Sequence, residues 1–328
     1  MLKVCIIGGS GHYSYATERG YLCNAEIIAI AEGPDKSRCD HVYTEICKKY
    51  TNVKYYTDYT IMLDEENPDI AVVNPYMIYN AKISIDCLKR GIHVFSEKPA
   101  ATTLGDLADL AEAYKKYGKI YSNMMDLRFA PGFYEAKLFI DAGGVGEVRL
   151  LNARKSYKLG TRGDMYKNSE LFGGLIPWVG IHAVDWFYYF TGSKFLSVYA
   201  SESQQGNKGY GDLGMTAVCH FNMENEVIAT VTIDYMRPEG AITHGDDRVR
   251  IVGTSGVVEV QGGEAYAIDA TGEKELVFTK PRIHIFDEFI KAVSGEANNL
   301  PTAKDAFYVT EVCIKARMAA ETGKVIKI

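Results

Sequence analysis

Metal-ligand and disulfide patterns are missing from this sequence. Its seven cysteines are scattered and odd in number, and none forms a CxxC pair. Its seven histidines include no HExxH motif. In a chain of 328 residues, cysteines of this kind are typical of reduced thiols in the cytosol. We therefore expect a cytoplasmic protein without disulfides and without a metal site.

An excess of positive charge and a long apolar run are missing too. Lysine and arginine number 36 against 42 aspartates and glutamates, so the formal net charge is −6 at pH 7. This balance offers no electrostatic attraction for nucleic acid or an anionic membrane. No apolar stretch is long enough to span a bilayer, and the short apolar run at the start breaks into glycines, unlike a signal peptide. We expect neither a nucleic-acid nor a membrane partner.

The first third of the chain alternates between strand and helix patterns, and the total length favours two domains. Short apolar runs such as "LKVCII" (2–7) and "IHVFSEKP" (92–99) have the length and β-branched content of buried strands. Amphipathic segments such as 36–50 separate them. This alternation predicts an α/β fold over residues 1–123, with a doubly wound parallel sheet and helices on both faces.

The pattern changes in the rest of the chain. The segments "MTAVCHFNM" (215–223) and "EVIATVTIDYM" (226–236) alternate with period two and are separated by a short turn, which indicates a β-hairpin. A helical pattern returns at 304–323. We predict a second, α+β domain over 124–328, built on an antiparallel sheet, whose closing helix packs back on the first domain.

The glycine-rich stretch "IIGGSGHY" (6–13) follows the first predicted strand and opens a helix. Glycines in that context let the backbone approach a pyrophosphate, and the helix N-terminus supplies N–H groups. The spacing departs from the usual dinucleotide fingerprint, since Ser10 stands at the second glycine position counted from Gly8. The stretch predicts a cofactor cradle. A glycine turn in an α/β protein that binds something else is the alternative.

Glu32 ends the second predicted strand, roughly 20 residues beyond the glycines. A carboxylate there accepts hydrogen bonds from the adenosine ribose hydroxyls and repels the additional phosphate of NADP. Glu32 therefore favours NAD, although the neighbouring Arg38 weakens that preference. A solvent-exposed strand end is the alternative interpretation.

Lys98 lies in "EKP" (97–99), at the carboxyl end of the fifth predicted strand. Ligands of open parallel sheets bind outside those ends. A lysine there can hydrogen-bond a substrate hydroxyl and help to take its proton. A solvated loop lysine before proline is the alternative.

One predicted helix, 176–190, carries two ionisable side chains in an apolar, aromatic setting. Pro177 suits a first helical turn. Trp178, His182 and Asp185 fall at i, i+4 and i+7 and share one stripe. The functional interpretation is that His182 is a general acid/base which Asp185 orients. The structural alternative is a buried histidine whose hydrogen bonds Asp185 satisfies.

Together these stretches resemble the glucose–fructose oxidoreductase / inositol dehydrogenase / MocA family over essentially the whole chain. The resemblance rests on the first loop and on "NPYMIYNAKISIDCLKRGIHVFSEKPAA" (74–101), "NMMDLRFAPGF" (123–133), "GGLIPWVGIHAVD" (173–185) and "VRIVGTSGVVEV" (249–260). It implies a Rossmann domain that binds NAD or NADP. It also implies a C-terminal domain whose open antiparallel sheet carries the substrate pocket and forms a homodimer or homotetramer. The implied reaction is hydride transfer at a hydroxyl or ketone of a sugar, a cyclitol or a derivative.

From these residues and the resemblance we predict the contacts of cofactor and substrate. Cofactor contacts are expected at Gly8, Gly9, Ser10, Gly11, His12, Glu32, Asn74, Pro75, Tyr76, Glu97, Lys98 and Asn123. Substrate contacts are expected at Lys98, Arg128, Tyr157, Trp178 and His182. Lys98 and His182 are the predicted catalytic pair. NAD is the expected cofactor, with NADP as the alternative.

Trp178 departs from the family pattern in a way that bears on the reaction. The resemblance implies an aspartate at this position, four residues before the histidine. An indole accepts no proton, but it offers a flat apolar face to a sugar ring. Two further hypotheses therefore stay open beside direct hydride transfer. One is an enzyme that keeps its NAD bound and recycles it during elimination, epimerisation or glycoside cleavage. The other is a non-catalytic sugar or dinucleotide sensor.

The loop at 158–172 leaves the identity of the substrate open. Basic residues stand in and beside it, at Lys155, Lys158, Arg162 and Lys167. They favour an acidic or phosphorylated substrate, with a solvated loop as the alternative.

Overall fold

The computed structural model describes residues 1–35, 39–279 and 281–328. The start of the helix predicted over 36–50, and with it Arg38, therefore lies outside the described residues. None of the helices within these ranges combines the length and apolar character that crossing a membrane requires.

The described chain divides into two compact units. The first unit comprises Met1–Met125 and Ile283–Thr310, and the second comprises Asp126–Arg282 and Glu311–Ile328. The sequence placed the division after residue 123 and assigned everything later to the second domain. The structure moves the division by two residues and groups Ile283–Thr310 with the first unit.

A six-stranded parallel sheet forms the centre of the first unit, as predicted. Its elements in chain order are β1 (Leu2–Ile7), α1 (Ser14–Arg19), β2 (Ala25–Ala31), α2 (Cys39–Cys47), β3 (Lys54–Tyr56), α3 (Tyr59–Glu66), β4 (Ile70–Val73), α4 (Asn80–Lys89), β5 (His93–Ser96), α5 (Leu104–Tyr117) and β6 (Tyr121–Asn123). The strand order is β3-β2-β1-β4-β5-β6, and every pairing is parallel. This is the doubly wound Rossmann order, which reverses between β1 and β4.

The strands of this sheet are short apolar runs because both of their faces are buried. All four residues of Ile70–Val73 are inaccessible to solvent, as expected for a parallel sheet covered on both sides. Gly8, Asn74 and Glu97 each come directly after a strand, β1, β4 and β5 respectively. The carboxyl edge of the sheet thus carries three of the predicted site residues.

A nine-stranded sheet forms the second unit. The remaining elements in chain order are α6 (Pro131–Asp141), β7 (Val148–Tyr157), α7 (Ser169–Phe172), α8 (Ile181–Thr191), β8 (Phe195–Ser203), β9 (Thr216–Met223), β10 (Ile228–Asp234), β11 (Gly245–Gly253), β12 (Gly256–Gln261), β13 (Glu264–Asp269), β14 (Gly272–Glu275), α9 (Ile285–Val293), α10 (Ala303–Thr322) and β15 (Ile326–Lys327). The strand order is β14-β13-β12-β11-β7-β10-β9-β8-β15. The hairpin predicted from 215–236 is β9 and β10.

One pairing departs from the predicted antiparallel sheet. Strands β7 and β10 run parallel, with Ile228 opposite Leu150, so the sheet is mixed and mostly antiparallel. The chain between these two strands contains α7, α8, β8 and β9. A connection of that length permits a parallel return. The hairpin signal in the sequence reports only strands that are neighbours along the chain, and so it missed this pairing.

The sheet of the second unit has one covered and one exposed face. Along β9 the odd-numbered residues such as Cys219 and Phe221 are buried, whereas Val218 is exposed. The ring of Phe221 contacts that of Phe187 on α8, with 6.3 Å between ring centroids. The helix therefore covers this face, and the opposite face is open, as period-two alternation predicts.

Helix α9 explains why Ile283–Thr310 belongs to the first unit. The rings of Phe286 and Phe289 lie 5.5 and 5.1 Å from that of Phe95 in β5, measured between ring centroids. Arg19 donates from Nε to Asp287 Oδ1 at 2.9 Å. Sequence periodicity alone does not indicate which surface these aromatic side chains contact.

The helix predicted over 176–190 begins differently in the structure. Ile176–Gly180 forms a π-helical turn, and the α-helix proper is α8. Gly173 and Gly174 precede the turn with φ near +90°, and Pro177 within it supplies no N–H. The helix ends at Gly192, which adopts a left-handed conformation. π-Helical turns of this kind occur often at functional sites.

His93 makes the first unit sensitive to pH. Its Nδ1 accepts a hydrogen bond from the Ile120 backbone N–H at 3.0 Å, and so that nitrogen carries no proton in the fold. Burial, and next the charge of Lys119, hold the pKa of His93 below its ordinary value of 6.5. Just below pH 6.5, the unfolded chain therefore binds the proton first. In that pH window the free energy of unfolding falls as the pH falls. Above the window the free energy of unfolding returns to its full value.

We expect His93→Gln to flatten this part of the pH dependence. The measurement is the midpoint of urea unfolding, followed by far-ultraviolet circular dichroism at neutral and at mildly acidic pH. His41→Gln changes an exposed histidine of α2 and should keep the wild-type dependence. An identical slope in wild type and His93→Gln would contradict the role given to this nitrogen.

Candidate functional site

The glycine loop after β1 is packed against the segment that follows β4. Gly8 has φ +77°, and a Cβ on it would lie 2.6 Å from the backbone of Pro75. A Cβ on Gly11 would lie 2.6 Å from Asn74 Oδ1. The backbone N–H of Ser10 donates to the Asn74 carbonyl at 2.8 Å. Only glycine fits at Gly8 and Gly11, so the departure at Ser10 leaves the shape of the cradle intact.

Glu97 fastens the same loop to the end of β5. It is fully buried, and its Oε2 accepts the His12 backbone N–H at 2.7 Å and contacts His12 Nδ1 at 2.7 Å. Its Oε1 accepts the backbone N–H of Lys98 at 2.9 Å. Burial alone would raise the pKa of Glu97. The charges of His12 and Lys98 and the hydrogen bonds from His12 outweigh it and hold that pKa below its ordinary value.

Asn74 contributes an amide with no partner of its own. The residue is inaccessible to solvent, and both its Oδ1 and its Nδ2 lack a hydrogen-bond partner among the described residues. A buried polar group left in this state is costly unless something satisfies it. Next to glycines that keep the loop free of side chains, this amide fits the phosphate or ribose oxygens of a dinucleotide. Pro75 and Tyr76 continue the chain from this point into the turn before α4.

Two asparagines hold the backbone around Lys98. Asn123 Nδ2 donates to the carbonyl of Glu97 at 2.8 Å, and Asn80 Nδ2 donates to the carbonyls of Glu97 and Pro99 at 3.0 and 2.9 Å. Lys98 itself is 3% exposed. The structure thus gives the Asn123 amide a positioning contact with the "EKP" segment. The sequence analysis missed Asn80, because a single polar residue at the start of an amphipathic helix gives no sign of such a role.

Glu32 comes directly after β2 and is partly exposed. Its Oε1 accepts a hydrogen bond from the Tyr55 hydroxyl at 2.9 Å. Its backbone N–H donates to the Tyr56 carbonyl at 3.0 Å. Tyr55 in the neighbouring strand β3 therefore orients the Glu32 carboxylate through one of its oxygens. The second oxygen is left to accept a hydrogen bond from a ligand.

Trp178 and His182 belong to the second unit, in the π-helical turn and in α8 respectively. Each is 7% exposed. The indole of Trp178 contacts the ring of Tyr166, with 6.1 Å between ring centroids. Tyr157, the last residue of β7, stacks on His244 at 5.1 Å. The predicted substrate residues of this unit thus lie among aromatic rings.

Asp185 has a partner that helical spacing did not suggest. Arg128 donates from Nε to Asp185 Oδ2 at 2.8 Å, and from Nη2 to the other carboxylate oxygen. The two side chains are 8% and 3% exposed, and the guanidinium also lies over the ring of Tyr189. A buried, two-pronged ion pair of this kind orients both groups. Arg128, predicted as a substrate contact, has this partner within the protein.

Lys155 is a buried cation in β7, and its burial was not predicted from the strand pattern. Its Nζ lies 2.6 Å from Asp247 Oδ1, 4.6 Å from the centroid of the Tyr157 ring and 5.6 Å from that of Trp186. Burial lowers the pKa of Lys155, and the Asp247 carboxylate opposes that shift only in part. Within the described ranges, no three histidine, cysteine, aspartate or glutamate side chains come together as a metal would require.

The fold and the loop define a dinucleotide-binding Rossmann protein that carries an additional α+β unit. Residues 2–125 match the model of an oxidoreductase family with an NAD-binding Rossmann fold, and residues 133–259 match that of the GFO/IDH/MocA C-terminal domain. The chain belongs to the Gfo/Idh/MocA family of oxidoreductases, which confirms the resemblance seen in the sequence.

Two of the similar proteins described here cover the whole chain, and a third covers most of it. A solved structure of a candidate oxidoreductase from Thermotoga maritima shares 44% identity with a TM-score of 0.94, over all of both chains. The D-glucoside 3-dehydrogenase of Escherichia coli K12 is 23% identical over 351 residues, which span this whole chain and 97% of the relative. The scyllo-inositol 2-dehydrogenase (NAD(+)) of Bacillus subtilis 168 is 23% identical over 77% of this chain and 72% of its own length.

Proposed function

We propose that this protein is an NAD-dependent dehydrogenase or reductase that transfers a hydride between nicotinamide and a hydroxyl-bearing or keto carbon of a sugar, a cyclitol or a derivative. The observation that carries the proposal is the link between the glycine loop and Lys98. Glu97 accepts the backbone N–H groups of both His12 and Lys98. One buried carboxylate therefore positions the cofactor loop and the lysine that we assign as the proton acceptor.

The residues of the first unit fit NAD. Gly8, Gly9, Ser10 and Gly11 would hold the pyrophosphate, because glycine keeps the loop clear where it meets Pro75 and Asn74. When bound, NAD supplies the acceptor for the hydride in the oxidising direction.

Glu32 and the orphaned amide of Asn74 serve the rest of that cofactor. The Glu32 carboxylate, oriented by Tyr55, would accept hydrogen bonds from the adenosine ribose and disfavour NADP. The buried Asn74 amide supplies one donor group and one acceptor that a cofactor can satisfy. Asn74 thus adds a contact to the cofactor, and Glu32 favours NAD over NADP.

The protein's own residues account for the proton and for the placement of the substrate. We assign Lys98 to bind the reacting hydroxyl and to take its proton, since its backbone is held by Glu97 and two asparagines. We assign His182 as the second acid/base group. Trp178 offers a flat apolar face to a ring, with Tyr157 as a further contact. The pairing of Arg128 with Asp185 supports a structural role for both residues.

A polyhydroxylated ring is the substrate class that the relatives support. The two dehydrogenases compared above act, by their names, on a D-glucoside and on scyllo-inositol. Both compounds present several secondary hydroxyl groups on one six-membered ring. We carry this class, and not either compound, over to the present chain.

The predicted homodimer or homotetramer remains part of the proposal. The open face of the nine-stranded sheet exposes large apolar side chains on three adjacent strands: Leu196 and Tyr199 on β8, Val218 on β9 and Ile228 on β10. An exposed apolar surface on a regular sheet is typical of contact with another chain. This supports the second copy expected from the resemblance.

The direct test is a screen of polyols, sugars and sugar acids with NAD, read as formation of NADH absorbance. We expect turnover with at least one class of ring alcohol. Gly8→Ala should raise the KM for NAD by about 10-fold or more, because a side chain at positive φ costs about 1–2 kcal/mol and here also meets Pro75. Gly118→Ala has a similar φ of +64° but open space around it, and should leave that KM unchanged.

Other outcomes point to the other two hypotheses. Product formation without net NADH, by protein that co-purifies with its dinucleotide, would favour a redox-recycling enzyme. Sugar binding without turnover, unchanged in Lys98→Met and His182→Ala, would favour a sensor. Equal KM values for NAD in Gly8→Ala and Gly118→Ala would count against the cradle.

A further inference from the structure

Four basic side chains stand in and beside the loop at 158–172, and three of them have partners within the second unit. These partners are Asp247 for Lys155 (2.6 Å), the backbone carbonyls of Glu239 (2.7 Å) and Ala241 (2.5 Å) for Lys158, and Asp164 for Lys167 (2.7 Å). Arg162 differs, because its Nε has no hydrogen-bond partner among the described residues and no carboxylate in the described part of the second unit forms an ion pair with its guanidinium. It is the member of this group that keeps side-chain donors for another partner.

The Arg162 guanidinium is nevertheless held in a defined place. Its Cζ lies 4.6 Å from the centroid of the Tyr235 ring and 5.5 Å from that of Tyr166, at cation–π distance from both. Its Nη2 donates to the backbone carbonyl of Lys158 at 2.9 Å. Its Nε is buried and has no hydrogen-bond partner among the described residues. A guanidinium has five N–H donors, so this one is fixed with donors left over.

Arg162 lies beside the helix that carries His182. The guanidinium connects two pairs of rings, because it lies over both Tyr166 and Tyr235. Tyr166 contacts Trp178 with 6.1 Å between ring centroids, and Tyr235 contacts Tyr157 with 6.3 Å. We call Tyr157, Tyr166, Trp178 and Tyr235 the aromatic cluster. Trp178 precedes His182 by four residues. The guanidinium thus borders the same aromatic surface on which we place the substrate ring.

We propose that Arg162 binds a carboxylate of the substrate, so that the protein acts on a sugar acid or a similar carboxylated polyol. This inference rests on the proposed function and names its substrate class. A planar guanidinium with adjacent free donors matches a carboxylate in two-pronged geometry. The aromatic rings shield the pair from water and so strengthen it.

The charges around Arg162 favour an anionic group on the substrate. Burial, and next the positive charges of Arg162 and Lys158, lower the pKa of His244, which shows that the local field is positive. Lys155 and Lys167 are paired with carboxylates, whereas Lys158 keeps its charge and donates to backbone carbonyls. A positive field favours an anionic group, and the planar fork of the Arg162 donors fits the two oxygens of a carboxylate.

The test compares a sugar acid with its neutral counterpart, for example D-galacturonate with D-galactose and D-gluconate with D-sorbitol. We expect wild type to prefer the acid. Arg162→Gln should raise the KM for the acid by about 10- to 100-fold, the range typical for loss of a charged hydrogen bond, with kcat and the KM for the neutral compound nearly unchanged. Arg162→Lys should restore part of the affinity. Arg149→Gln, at an exposed arginine paired with Glu147, is the matched control.

Three results would overturn the inference. They are equal KM values for the acid in wild type and Arg162→Gln, a parallel loss for acidic and neutral compounds, and a preference for sugar phosphates that Arg162→Gln abolishes. If wild type turns over no compound in this comparison or in the wider screen, the proposed function is wrong, but the carboxylate site is still testable. Calorimetric binding of D-galacturonate to wild type, lost in Arg162→Gln and kept in Arg149→Gln, would then support the site alone.

Discussion

Replacing Lys98 with methionine is expected to lower turnover by about 10²–10⁴-fold, the usual contribution of a positioned acid/base group, while NAD binding is retained. Methionine has a long unbranched side chain and so fits the space of this buried lysine without an amine. The Glu97 carboxylate contacts the backbone N–H of Lys98, not its side chain, in the hydrogen bond that ties the loop to "EKP". The loop should therefore keep its place in the variant.

The measurement is kcat with the best substrate of the screen, together with the dissociation constant for NADH from fluorescence titration. Lys82→Met changes an exposed lysine of α4 and should match wild type in both. A variant at Lys98 that kept turnover within a few-fold of wild type would remove this residue from the proposed proton path. A loss of NADH affinity equal to the loss of kcat would show damage to the cradle instead.

Asp185→Asn is expected to destabilise the second unit by about 3–5 kcal/mol, because it breaks a buried, two-pronged ion pair. The charge left behind is the Arg128 guanidinium, which has little access to water. The neutral amide can satisfy only part of the two-pronged contact that the carboxylate makes. The effect should be far larger than that of an exposed pair.

Tryptophan fluorescence is well suited to this measurement. Both tryptophans of the chain, Trp178 and Trp186, lie in the second unit, so their signal in urea follows that unit. Glu147→Gln removes an exposed partner of Arg149 and should change the midpoint little. Arg128→Met combined with Asp185→Leu removes both charges and should be more stable than Asp185→Asn. A midpoint in Asp185→Asn equal to that of Glu147→Gln would refute the importance of the pair.

The parallel sheet was predictable because its signal is local. Strands such as Ile70–Val73 are short apolar runs with polar or glycine residues at each end, and burial on both faces explains that composition. The strand predicted over 92–99 nevertheless ran too long, since β5 ends at Ser96. Glu97 leaves the strand to bind His12, which is 85 residues away in the chain. No local pattern contains that contact.

The predicted site residues show the same limit. The shared helical stripe suggested Asp185 as a partner of His182, but it gave no sign that the Asp185 carboxylate binds Arg128, 57 residues away. Arg162 was one of four similar basic residues in the sequence. It became distinctive only when the partners of the other three were known. Residue type and spacing identified the candidates, and tertiary contacts decided among them.

The number of residues in the π-helical turn Ile176–Gly180 determines the direction in which the side chain of Trp178 points. An α-helix has 3.6 residues per turn, so each residue advances the side-chain direction by about 100°. Deleting one residue within the turn would rotate the indole by roughly that angle about the axis, while α8 and His182 kept their places. In proteins with this helix, the insertion or deletion of a single residue in the turn would therefore change which ring face meets the substrate. A substitution would not have this effect.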